Sequence, residues 1–424
     1  MFKWIRARWW AMLLVLAGTP SLFAQSLLIP MDESQTDHLK AYGLVYWVLS
    51  QGQDADWLLN YRGGSFMCAH NTLIEKELLI RGVSYERIGA DRAAAILNEV
   101  QSPGNNMDAV KLEKVPRIAV YAPKQTLPWD DAVLLALTYA EVPYTQIYDK
   151  EIIAGDLQNY DWLHLHHEDF TGQYGKFYAQ YRNASWYIEQ QRQAEADARA
   201  LGFTKVSQLK LAVAQTIRAY VGGGGFMFAM CSGADTFDIA LAAHRTDIAA
   251  AVFDGDPASS TAQQDLDFEA TMAFTDFTIS LNPMEYEHSD IDVMPPPNMQ
   301  DPSVDFFTLF EFSAKWDPVP TMLTQDHVAT LRGFMGQTTQ FKKRTIKPTV
   351  TLLGESPGRD AVRYLYGPFG KGFFAFYGGH DPEDYRHYVG DPPTDLALHK
   401  NSPAYRLILN NVLFPAAKKK PHKT

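Results

Sequence analysis

The side chains that could do chemistry begin with Cys231. It follows the apolar run Phe226–Met230, which itself follows four glycines, Gly222–Gly225. Ser232-Gly233 and a stretch with the spacing of a helix come next. A strand, an abrupt turn of small residues and a helix present a side chain at the tip of a sheet, with the helix N-terminus beneath it. A thiol there is expected to be partly exposed, and the helix dipole and free N–H groups favour its thiolate. Such a nucleophile needs a base for its proton, an acid to orient the base, and donors for the oxyanion. His380 is the candidate base, because it follows the apolar stretch Gly372–Tyr377 through Gly378-Gly379. If that strand lies beside the Cys231 strand, both groups reach the same sheet edge. Glu383 or Asp381 would orient the imidazole, and the Ser232 N–H would receive the oxyanion. The plainer alternative for His380 is a turn histidine at a strand end.

A second grouping is His164, His166, His167, Glu168 and Asp169. In a strand, His164 and His166 face the same side, and the carboxylates that follow are possible further ligands. His164 and His166 are therefore weak metal candidates. A polar strand end lining a cleft is the commoner explanation, so neither a metal nor another cofactor is expected. His166, His167, Glu168 and Asp381 remain candidates for substrate contact. Arg62-Gly63-Gly64 offers an anion cradle or an ordinary turn. The aromatic segment Tyr174–Tyr187 offers a sugar or peptide groove, or simple packing.

From about Val115 to Phe414 the chain resembles the class I glutamine amidotransferase-like superfamily, through Gly222–Gly225, the turn Ala229-Met230-Cys231-Ser232-Gly233 and the late His380-Asp381-Pro382-Glu383. The resemblance implies a flavodoxin-like sheet with Cys231 as nucleophile on an elbow, His380 as base and Glu383 as third member. Three features depart from the pattern: Ala229 stands where glycine is usual, Asp381 lengthens the His-to-Glu spacing, and His166–Gly172 replaces the glycine-rich oxyanion loop. No synthase partner domain is evident to receive ammonia. Hydrolysis, or loss of catalysis, fits these departures better than amidotransfer. The whole chain also looks like an exported bacterial group labelled asparagine synthetase B, in its segments HLKAYGLVYWVL, LNYRGGSF and CSGADTFDIALAA. Ser232-Gly233-Ala234-Asp235-Thr236 is similar to a pyrophosphatase loop but one residue short, with alanine for the second glycine. The chain also opens Met1-Phe2, without the cysteine a glutamine-dependent synthetase exposes. Synthetase activity is not expected.

The elements that must position these residues read as α/β. Helices are expected at Asp37–Leu49, Asp91–Val100, Trp129–Ala140, Trp186–Ala200, Gln208–Val221 and Pro403–Phe414, with Thr72–Ile80 ambiguous. Strands are expected at Trp57–Asn60, Arg117–Tyr121, Tyr144–Tyr148, Asp161–His166, Phe226–Met230 and Thr349–Leu353, and Ala361–Tyr366 with Gly372–Tyr377 forms a hairpin. Strands alternating with helices imply parallel pairing, with sites at the carboxyl ends. The expected fold is thus a flavodoxin-like, mostly parallel sheet with helices on both faces, a small N-terminal α/β segment and a loop-rich insertion. Residues 1–24 read as a signal peptide, from Lys3, Arg6 and Arg8 followed by apolar Trp9–Gly18. The N-terminal segment is 25–114, the amidotransferase-like domain 115–415 with an excursion at 254–344 that includes β-like Phe274–Leu281, and 416–424 a basic tail.

The 424 residues are 46% apolar and 13% aromatic, as in a protein with a full core. A net charge of −11 speaks against nucleic acid. The two cysteines, Cys68 and Cys231, would form one disulfide in an oxidising compartment or leave Cys231 free. The expectation is an exported protein, periplasmic or secreted, without a stable membrane span after signal cleavage. It would act as a Cys-His-acid hydrolase on a small-molecule or peptide-like amide or related acyl substrate. A non-catalytic binding or scaffold module on the same fold is the first alternative, and a metal-dependent hydrolase around His164–Asp169 the second.

Overall fold

A computed structural model describes residues 25–123 and 131–418. The expected signal peptide, the start of the Trp129–Ala140 helix and the tail from Lys419 lie outside the described residues.

The chain first builds a five-stranded antiparallel sheet from β1 (Gln25–Ile29), β2 (Ala55–Leu59), β3 (Ser65–Ala69), β4 (Glu86–Gly89) and β5 (Asp108–Leu112), in the order β4-β1-β3-β2-β5. Three helices connect them. His38–Ser50 starts where the Asp37 side chain accepts from the Lys40 N–H, as an N-cap should. The ambiguous Thr72–Ile80 stretch is a helix, Thr72–Arg81, capped by Asn71 and stopped by Gly82 at φ 67°. The third helix is Ala90–Gln101.

A ten-stranded sheet follows: β6 (Ile118–Tyr121), β7 (Thr145–Ile147), β8 (Trp162–Leu165), β9 (Phe226–Met230), β10 (Phe306–Leu309), β11 (Thr330–Arg332), β12 (Phe341–Lys342), β13 (Thr351–Glu355), β14 (Ala361–Phe369) and β15 (Gly372–Tyr377). Its order is β11-β10-β13-β14-β15-β9-β8-β6-β7, with β12 pairing β14. The pairs β7·β6, β6·β8, β8·β9 and β9·β15 are parallel. The other five are antiparallel. The expected mostly parallel sheet is therefore corrected to a mixed one. The β14–β15 hairpin reverses direction at the edge of the parallel strands, and the 254–344 excursion supplies β10, β11 and β12 beyond it. Phe274–Leu281 forms no strand, only isolated bridges from Phe274 to Ile346 and Ile279 to Ser289.

Side-chain alternation sends each parallel strand's residues to two cores. Ile118, Val120, Trp162, Phe226, Phe228 and Tyr377 face one side, under the helices His38–Ser50, Ala132–Tyr139 and Pro403–Leu413. Ala119, Tyr121, Leu163, Leu165, Met227 and Ala229 face the other, under Val206–Gly223 and Ser232–Ala242. The first core also takes in Leu27, Trp57 and Phe66 of the small sheet, so the two sheets share one apolar interior. Gly43 makes the helix contact possible, since a Cβ there would lie 1.6 Å from the Ala140 carbonyl oxygen. Buried Arg406 ties the halves together, donating to the Met31 carbonyl at 2.8 Å, to the Tyr42 hydroxyl at 3.1 Å and to the Gly63 carbonyl. No helix among the described residues is long and apolar enough to cross a membrane.

Candidate active site

The parallel register brings the carboxyl ends of β8, β9 and β15 to one edge, with Leu165 opposite Ala229 and Tyr377 opposite Met230. His380 is therefore delivered beside the strand that carries Cys231. At the end of β9, Cys231 has φ 49° and ψ −142°, and the helix Ser232–Ala242 starts at once. A non-glycine residue at positive φ is the strained geometry of a sharp strand-to-helix turn. Gly233 is required behind it, because a Cβ there would stand 2.3 Å from the His166 carbonyl oxygen, which accepts the Gly233 N–H at 2.5 Å.

The thiol itself departs from expectation. Cys231 is buried rather than partly exposed, and its Sγ donates to the Gln337 carbonyl at 3.5 Å. Burial, with the charges of Asp235 and Asp292 adding to it, pushes the thiol up to about 12 against the pull of the Ser232 N–H. The helix terminus does not overcome desolvation, and the group is a neutral thiol. Cys231 and Cys68 are both free, Cys68 in β3 of the small sheet and Cys231 just past the end of β9 in the large one.

His380 turns to other histidines. Its ring centroid lies 4.3 Å from that of His166, 5.7 Å from His167 and 4.4 Å from His387, the last stacked at 4°. No hydrogen bond joins it to Cys231 among the described residues. Neither candidate acid reaches it. Glu383 pairs with His399 at 3.1 Å. Asp381 accepts from the Tyr405 hydroxyl at 2.9 Å, the Thr394 hydroxyl at 2.8 Å and the Glu383 N–H at 2.9 Å. The expected Cys-His-acid line is not assembled in this arrangement.

What is assembled is a cluster around Asp131. This residue caps the helix Ala132–Tyr139, accepting from the Val133 and Leu134 N–H groups at 2.8 and 3.1 Å. Its Oδ1 lies 3.1 Å from His166 Nδ1 and 3.4 Å from His164 Nε2. His164 Nδ1 lies 3.2 Å from the Phe228 carbonyl oxygen. Burial pushes the Asp131 carboxyl up, but His166 and His164 pull it well below the usual range. Desolvation and the neighbouring His166 hold His167 and His380 well below an ordinary imidazole. His167 is partly exposed, whereas His164, His166 and His380 are buried.

Glu168 points to the opposite face of the sheet. It accepts from the Tyr148 hydroxyl at 3.1 Å, and burial raises it to about 7. Nearby Lys210 is buried against Asp149 at 3.1 Å. Asp169 is occupied by its own loop, accepting from the N–H groups of Thr171, Gln173 and Gly175 at 2.7 to 2.9 Å. Arg62 is held by Asp32 at 2.7 Å and Glu86 at 2.5 Å, so it is part of a structural pair. The aromatic residues Phe177, Tyr181, Trp186 and Tyr187 pack against one another. Sequence reasoning missed Asp131, Gln337 and His387. Only Asp131 left a signal, an acid immediately before the apolar helix AVLLALTY.

No family model and no curated protein matches the sequence. Among solved structures the chain is similar to two cytoplasmic proteins of Salmonella typhimurium. STM3548 has a TM-score of 0.35 at 10% identity, over 72% of this chain and 100% of that one. STM1381 has a TM-score of 0.33 at 12% identity, over 71% and 100%. Gan42B, a GH42 β-galactosidase, has a TM-score of 0.28 at 10% identity, over 63% of this chain and 28% of its own.

Proposed function

We propose that this protein is an exported hydrolase of an amide or related acyl bond, whose nucleophile is a water activated among His166, His167 and His380. One observation carries the reading: three imidazoles from two strand ends converge at the carboxyl edge of the parallel strands, while the Cys231 thiol is bonded to a backbone carbonyl. The order of those strands also supports it. Taken in chain sequence, β6, β7, β8, β9 and β15 lie as second, first, third, fourth, fifth, an order that a flavodoxin-like arrangement would share, and in such sheets ligands bind beyond the strands' carboxyl ends. In the reaction the water's oxygen attacks the carbonyl carbon and its proton passes to an imidazole nitrogen. That proton then goes to the leaving amine or alcohol as the C–N or C–O bond breaks. Chromogenic anilides and aryl esters of short acyl groups test the reading. Wild-type protein releases the chromophore and His380→Ala does not; a wild-type protein inert across the series overturns it.

A second reading keeps the amidotransferase-like elbow, favoured by the positive φ of Cys231 and by β15 lying beside β9. It requires the Gln337 carbonyl to leave the thiol and Glu383 to exchange His399 for His380. Under it, Cys231→Ala abolishes turnover. A binding module on the same fold turns nothing over, and neither variant then changes anything.

A further inference from the structure

We propose that His166, His167 and His380 hold one divalent transition-metal ion, zinc by the chemistry of the donors, with Asp131 as the positioning residue behind His166. One ring nitrogen of each histidine lies within 4.8 Å of those of the other two. A tetrahedral zinc with bonds of about 2.0–2.1 Å sets its nitrogens roughly 3.3 Å apart, so small ring rotations close the set. Two nitrogens that could face an ion, His166 Nε2 and His380 Nδ1, are buried without a hydrogen-bond partner; His166 Nδ1 also lacks one, with the Asp131 carboxylate 3.1 Å away. Buried polar atoms in native proteins are satisfied, and a cation between these rings satisfies both. Imidazole sets suit zinc and its first-row neighbours rather than magnesium or calcium.

Three protein ligands leave a fourth position for water, the pattern of catalytic rather than structural zinc. His167 is the half-buried member of the set, between buried His166 and His380. Asp131 completes the arrangement. It stands 3.1 Å from His166 Nδ1, and with Nε2 on the metal a carboxylate in this place would orient the ring and raise its basicity. Two helix N–H groups and His164 fix the carboxylate in turn. The inference changes the proposed hydrolysis in one respect: the ion would make the water acidic, in place of a free imidazole of the cluster acting as base, and it stands or falls separately.

The test uses the full chain without a polyhistidine tag, stripped with chelator and titrated with Co²⁺ while visible absorption is followed, then challenged with Zn²⁺. One equivalent binds with ligand-field bands, and zinc displaces it. His166→Gln and His380→Gln each weaken binding at least about 100-fold. Asp131→Asn weakens it by about 10- to 100-fold. Asparagine caps a helix as well as aspartate, so Asp131→Asn keeps its thermal midpoint and circular dichroism, and a fall in metal affinity at unchanged stability is what a role in capping alone would not produce. Asp391→Ala, in the separate Asp384, His387, Asp391 group, leaves affinity unchanged. No stoichiometric binding by wild type overturns the proposal, as does binding that survives both glutamine variants or responds only to His164→Gln. Stoichiometric metal without turnover of any amide or ester sustains the centre and sinks the hydrolase; turnover indifferent to chelation does the reverse.

Discussion

Cys231 and His380 illustrate how a side chain's neighbours decide its chemistry. A thiol at a helix N-terminus is ordinarily acidified, but Cys231 lies under the Gln337 carbonyl with Asp235 and Asp292 near, and desolvation dominates. Moving the thiol from its ordinary 9 to about 12 lowers the thiolate fraction about 1000-fold at neutral pH. Native protein is therefore expected to react with iodoacetamide at pH 7.5 at least 100-fold more slowly than the urea-unfolded chain, read by mass spectrometry. Labelling of Cys231 as fast as in the unfolded chain contradicts this. The same shift has a thermodynamic counterpart. An acid whose folded value is raised contributes stability that is present below its unfolded value and lost as the pH rises toward the folded one, here between 9 and about 12. Each such thiol steepens the loss by about 1.4 kcal/mol per pH unit. Cys231→Ala is expected to flatten the fall in urea stability between pH 9 and 10.5 relative to wild type. An unchanged slope would show that the thiol is not held neutral.

At the scale of elements, the site depends on three strand ends and one helix start. Much of this was legible in the residues. An apolar five-residue run between glycines and a cysteine reads as a buried strand, and β9 occupies that run. Two apolar stretches around Gly367–Gly370 read as a hairpin, and β14 and β15 pair there. What escaped was the partner of each polar group, which is a tertiary property. Glu383 follows His380 closely enough to read as its acid, one residue further on than the pattern, yet the turn after His380 aims it at His399 and buries Asp381 against Tyr405. Asp131 falls inside the expected Trp129–Ala140 helix, and a capping acid is in any case common; its second task depends on β8 arriving beside it. The short strands β10, β11 and β12 have two to four residues each, too few for a period to show. Gly233→Ala tests the elbow directly. Its Cβ would press on the His166 backbone at 2.3 Å, so lowered turnover and a lowered thermal midpoint are expected together. Wild-type values for both would show that the contact is slack.

For the whole molecule, the question is how an antiparallel N-terminal segment is tied to a mixed sheet. The linker signal at Ser102–Asn106 falls before β5, which still belongs to the first sheet, and the passage between sheets comes after Leu112. Composition marks that linker but not the shared interior, because Trp57, Phe66 and Tyr42 look like any other core residues until they meet Leu407 and Ile408. Calorimetry is expected to show one transition in which both sheets melt together. Gly43→Ala is expected to lower its stability by about 1–3 kcal/mol, since the added carbon meets backbone and not a flexible side chain. Two separated transitions, with Gly43→Ala shifting only one, would show that the sheets are energetically independent.

The decisive comparison is the kcat/KM of Cys231→Ala against that of His166→Ala, on one anilide or ester that the wild type turns over. With the imidazole cluster as the working group, the cysteine variant keeps its rate within about threefold and the histidine variant loses at least about 100-fold, the scale on which general-base catalysis acts. A dead cysteine variant beside an active histidine variant would return the chemistry to the elbow.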